Sequence, residues 1–82
     1  MEIETHEGIK TLAETRYALS EFAVHHTLDT INRRNVIEDR TDIARLNNLV
    51  RQRRTTVREF STGENLYFYD GTRGVWVFGT VK

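Results

Sequence analysis

Apolar residues in the first half of the chain recur at three- and four-residue intervals, at Ile9, Leu12, Ala13, Leu19, Phe22, Ala23, Leu28 and Ile31. That spacing places them together on an α-helix. Thr11, with Glu14 three residues later, fits a capping box at the start of such a segment. The pattern predicts a first helix over about residues 9–33, with Glu14, Glu21, His25 and Asp29 on its polar face. At about 100° per residue its apolar arc exceeds half the circumference, so this helix needs covering on more than one side.

The polar stretch from Asn32 to Asp39 interrupts that periodicity, and Asp39 or Thr41 can cap a second helical segment. Ile43, Leu46, Leu49 and Val50, continued by Val57, then form one narrow stripe. This predicts a second helix over about residues 40–54, packed on the first, with Asn47, Arg51 and Arg54 towards solvent. From Thr55 onward helical spacing gives way to alternation of β-branched and aromatic residues. Three strands are predicted at about 55–61, 66–69 and 75–81, joined by Thr62-Gly63-Glu64-Asn65 and Asp70-Gly71-Thr72-Arg73-Gly74. The expected fold is α+β: two antiparallel helices followed by a three-stranded antiparallel β-meander (ααβββ), in a single domain over residues 1–82.

Sorting the last hairpin by the two-residue period of a strand places Leu66, Phe68, Val75 and Val77 on one face and Tyr67, Tyr69, Trp76 and Phe78 on the other. Both faces are apolar. An antiparallel sheet in a two-layer domain ordinarily has one apolar face, the one its helices cover. The second face therefore needs a cover, and the expected one is another copy of the chain, with Tyr67, Tyr69, Trp76 and Phe78 as the oligomer interface. A different protein, a single-stranded nucleic acid stacked on the rings, or a long first helix folding over both sheet edges are the alternatives.

Composition narrows the chemistry. The 82 residues carry twelve basic and twelve acidic side chains, so no global field draws in a polyanion. Locally the balance shifts, because residues 31–60 hold eight arginines against four acids. Arginine favours planar, bidentate contact with carboxylates or phosphates. Arg51, Arg54, Arg58 and Arg73 are accordingly the expected partner-binding residues. The same arginines, close to the end of a helix, also complement its dipole whatever they bind. Cysteine is absent, which excludes disulfides and thiolate metal sites. No apolar run approaches the roughly 18–20 residues of a membrane span, and Met1-Glu2-Ile3-Glu4 is acidic where a secretory signal is basic, so a cytoplasmic setting is expected.

Catalysis lacks candidates. Neither Ser20 nor Ser61 is tied by a motif to a histidine, no phosphate-loop spacing occurs, and no cofactor is implied. Glu21, His25 and Asp29 stand four residues apart on one helix face and could offer metal ligands, but a solvated stripe is the expectation and no metal site is assigned. His26 is expected nearer the apolar arc than His25. A helix pair followed by a hairpin resembles a winged helix-turn-helix, without the third short helix and tight turn that precede the recognition helix of such domains. The sequence thus reads as a small non-catalytic binding protein, a homo-oligomer that binds and modulates a larger protein partner as an accessory or inhibitor. The alternative is a nucleic-acid-binding regulator using the arginine-rich end of the second helix and the aromatic hairpin.

Overall fold

The structure, a computed structural model, describes residues 1–29, 34–52 and 59–82. Among these residues six strands form one antiparallel sheet and two α-helices lie against it, with strands both before and after the helices. In chain order they are β1 (Glu2–Thr5), β2 (Gly8–Thr11), a 3-10 turn (Thr15–Tyr17), β3 (Ala18–Ser20), α1 (Glu21–Leu28), β4 (Val36–Ile37), α2 (Arg40–Gln52), β5 (Asn65–Asp70) and β6 (Val75–Val81). The expected ααβββ order is therefore wrong. Where a single long helix is predicted from residue 9, the chain first forms two strands and a 3-10 turn.

The reason lies in local chemistry. Glu2-Ile3-Glu4-Thr5 alternates polar and apolar, and only Ile3 of the four is buried. Gly8, at φ 114°, closes a tight turn in which Thr5 Oγ1 donates to the Gly8 carbonyl at 2.7 Å and accepts from the Glu7 amide at 3.1 Å. A positive φ there suits glycine and returns the chain as β2. The helix begins only at Ser20, whose extended backbone and side-chain oxygen, accepting from the Ala23 amide at 3.2 Å, make it the N-cap of α1. Asp29, in the left-handed conformation at φ 52°, ends it after eight residues. Thr11 and Glu14, read as a capping box, instead belong to β2 and to the segment before the 3-10 turn.

The second half matches its pattern more closely. Asp39 caps α2, its Oδ1 accepting from the amides of Thr41 at 3.0 Å and Asp42 at 3.1 Å. Leu46 is fully buried, and Ile43, Leu49 and Val50 pack partly buried against the same cluster. Strand β5 pairs with β6 in the register Tyr67 with Phe78, Phe68 with Val77 and Tyr69 with Trp76, across a turn at residues 71–74. Of the predicted strand at 55–61, residues 59–61 are not in a strand, and 55–58 lie outside the described residues.

The sheet order is β2-β1-β6-β5-β3. The edge of β6 away from β5 is shared by β1, at Gly79 to Val81, and β4, at Trp76 and Val77. Each face carries its own core. On one, Leu19, Ile37, Tyr67 and Trp76 meet Val24 and Leu28 of α1 and Leu46 of α2. On the other, Leu66, Phe68, Val77 and Val81 meet Ile3 and Ala18, flanked by Met1, Leu12 and Phe60. The chain thus covers both faces of its own hairpin. Burying a large apolar side chain contributes about 1.5–3 kcal/mol, so the second core matters in a domain this small.

Gly79 permits that closure. The side chain of Ile3 lies across it, and a Cβ at position 79 would overlap Ile3 Cγ2 and stand 3.1 Å from the Glu4 carbonyl oxygen. No helix among the described residues is long and apolar enough to cross a membrane.

Candidate binding cleft

The stripe that anchors α2 also fixes its flank. With Leu46 set in the core, helical spacing carries Asn47, Val50 and Arg51 to the side facing the end of the β5–β6 hairpin. There they line a cleft of 260 Å³ with Tyr69, Trp76 and, from the 3-10 turn, Tyr17. Trp76 is 1% exposed and belongs to the core. Its indole Nε1–H donates to Asn47 Oδ1 at 3.0 Å, which satisfies a group that is costly to leave unpaired and orients the Asn47 amide. Tyr69 tilts against Trp76, with ring centroids 5.6 Å apart. Tyr17 is 43% exposed, and the guanidinium of Arg16, itself paired with Glu14 at 2.9 Å, lies 4.9 Å from its ring centroid.

Arg51 is exposed and forms no ion pair among the described residues. Arg73 differs. Its Nη1 and Nη2 donate to Glu7 at 2.8 and 2.7 Å, and its Nε donates to Asp70 at 3.0 Å. Those two carboxylates raise its pKa, with the Glu7 hydrogen bond the larger cause. Burial works against ionising Asp70, but hydrogen bonds from the Arg73 side chain and from the Arg73 and Thr72 amides outweigh it and hold its carboxyl below the ordinary value. This cluster ties the β1–β2 turn to the β5–β6 turn. Arg73, expected to meet a partner, is thus engaged within the chain and does not line the cleft.

The aromatic residues expected at an oligomer interface lie beneath the helices. Tyr67 is 1% exposed, its hydroxyl accepting from the Arg34 amide at 3.3 Å and lying 3.5 Å from His25 Nε2, and its ring meets Phe78 edge-on at 5.2 Å. Phe78 and Tyr69 are partly buried against the same core. The face expected to need a second copy is covered by α1 and α2, while the opposite face packs with Ile3, Ala18, Leu12 and Phe60. Arg54 and Arg58 lie outside the described residues.

Other sequence-marked residues find different partners. Glu21 Oε2 accepts from Asn65 Nδ2 at 3.0 Å, and among the described residues no three His, Cys, Asp or Glu side chains gather as a metal site. The two histidines exchange their expected places. His25 is half-buried against Tyr67, whereas His26 is exposed and stacks on Phe22, itself 78% exposed, at 5.8 Å. Tyr17 and Asn47 are the cleft residues that sequence reasoning missed. A buried tryptophan needs a partner for its N–H, and an asparagine one turn before an arginine on the facing helix was the available signal.

No family model matches the chain, and no curated protein or solved structure is similar to it.

Proposed function

We propose that this protein is a non-catalytic module that binds another protein, and that the Arg51 cleft is its working surface. The observation that carries the reading is the juxtaposition of an arginine without an ion-pair partner among the described residues with two tyrosines and an indole in one concavity. Tyr, Trp and Arg around a small pocket are the composition of interface hot spots. Among the described residues the lining contains no carboxylate, imidazole, thiol or lysine, and it offers no acid–base or nucleophilic pair there. The accessory role expected from the sequence is kept, but self-association loses its motive, since Tyr67, Trp76 and their neighbours are already covered. Stacking on nucleic acid is disfavoured for the same reason: a platform needs open ring faces, and Tyr67 and Trp76 have none.

Selection of a displayed random-peptide library against the purified protein tests this. Enriched peptides are expected to change the emission of Trp76, the single tryptophan, and to bind Tyr17→Ala/Arg51→Glu at least tenfold more weakly. The reading fails if no sequence is enriched or if the double variant binds as well as the wild type. It also fails if single-stranded oligonucleotides bind tightly instead, with a salt slope of roughly 0.7 per phosphate.

A further inference from the structure

Resting on the reading of the cleft as a protein-binding site, we infer that its ligand is a chain terminus: the C-terminal residue of a partner, with a large apolar or aromatic side chain and a free α-carboxylate. Because Trp76 Nε1–H occupies Asn47 Oδ1, the acceptor end of that amide is engaged and its Nδ2 donors are left over. One helical turn later stands Arg51, a forked donor with no acceptor and no ion pair among the described residues. Donors thus line one wall, and among the described residues no carboxylate lines the cleft to compete for them. The complement is a planar anion, which a guanidinium grips in bidentate fashion.

The remaining walls are the side chains of Val50, Tyr17, Tyr69 and Trp76, which favour an apolar body. At 260 Å³ the space is below the roughly 300–1,000 Å³ of sites for drug-sized ligands, so it accommodates about one residue. Aspartate and glutamate carry the anion on a short stem without such a body. Only a chain-terminal residue joins a large apolar side chain and a carboxylate within a single residue's volume. A phosphate dianion is less well matched, since phospho-recognition relies on clusters of arginines, and the described lining holds one.

The test compares acetyl-Gly-Ser-Gly-Phe ending in a free carboxylate with the same peptide ending in an amide, both titrated while Trp76 fluorescence and the Asn47 side-chain amide resonances are followed. The free acid is expected to bind at least about tenfold more tightly than the amide, the scale of one charge-assisted hydrogen bond. Arg51→Gln, on an exposed helical position, is expected to bring that ratio to about one and leave the weak binding of the amide unchanged, while Arg51→Lys restores part of it. Equal binding of acid and amide, or discrimination that survives Arg51→Gln, overturns the inference. So does preference for an internal phosphotyrosine peptide. If the library selection yields Arg51-dependent peptides whose motif is internal, the cleft remains a protein-binding site and the terminal-carboxylate assignment alone is lost; if no peptide of any kind binds, both fall.

Discussion

Gly79→Ala isolates the contact on which the second core depends. The added methyl would occupy space now held by Ile3 Cγ2 and would stand 3.1 Å from the Glu4 carbonyl and 3.2 Å from Thr5 Cγ2. Ile3 is fully buried and β1 is paired with β6 from Gly79 to Val81, so neither the side chain nor the strand can withdraw freely. Overpacking of this kind costs about 1–3 kcal/mol. Replacing glycine also removes freedom from the unfolded chain and returns about 0.5–1 kcal/mol, leaving a net loss centred on about 1 kcal/mol and at most about 2.5 kcal/mol. In a domain of this size each kcal/mol lowers the Tm by about 4–8 °C, so a fall of about 4–8 °C, and at most about 20 °C, is expected in a thermal melt followed by circular dichroism. Ile3→Leu moves the branch from Cβ to Cγ and removes Cγ2 at nearly constant volume. The double variant Ile3→Leu/Gly79→Ala is therefore expected to be more stable than the sum of the single changes by about 1 kcal/mol, measured by urea titration. A Gly79→Ala protein that melts with the wild type, or strict additivity of the two changes, refutes the claim that Ile3 crosses β6 at Gly79.

Two further outcomes rest on local chemistry. Ser20→Ala removes the side-chain acceptor that caps the start of α1 and is expected to cost about 1 kcal/mol, whereas Ser20→Gly costs only a few tenths; equal melts for wild type and Ser20→Ala would place the helix start elsewhere. Asp70 has a depressed folded pKa, so its stabilisation is complete above the unfolded value of about 3.9 and is lost as pH falls through the folded value; Asp70→Asn is expected to lower the urea midpoint at pH 7 and to converge with wild type once the pH is below the folded value, and a difference independent of pH would contradict it.

How legible each element is in the sequence tracks how many residues its signal averages over. Helix α2 carries a stripe from Ile43 to Val50 within its thirteen residues, with Asp39 at its head, and the β5–β6 hairpin has two runs of β-branched and aromatic residues around an Asp-Gly turn, so both are legible. Strands β1, β2 and β3 have three or four residues each, too few for alternation to stand out against accidental helical spacing among Ile9, Leu12, Ala13 and Leu19. In the fold these residues serve different purposes: Leu19 enters the aromatic core, Leu12 flanks the aliphatic one, and Ile9 is exposed. The true cap at Ser20 has Ala23 where a capping box has glutamate, which leaves Thr11 and Glu14 as the more conspicuous and misleading pair. That both hairpin faces are apolar is correct, but the cover inferred from it is not. Once a continuous helix is drawn through residues 9–20, the strands that flank the aliphatic face are lost, and a second subunit is invoked for a cover that the chain itself supplies.

The same geometry explains how so small a domain can keep a site at its surface without weakening its interior. Trp76 is the hinge of the arrangement: one side of the indole is core, packed with Ile37 and Leu46, and its N–H reaches Asn47 at the boundary with the cleft. The floor is therefore rigid because folding requires it, and it needs no ordering when a ligand arrives, which removes part of the cost that binding otherwise carries. Arg51 and Tyr17 stand outside both core clusters. An arginine late in α2 also complements the helix dipole when the cleft is empty, so retaining a charge without an ion-pair partner at that point costs the free protein little. On the proposed reading of the cleft, recognition by Arg51 and Tyr17 can thus vary independently of the two cores beneath them, whereas the pocket shape set by Asn47 and Trp76 cannot.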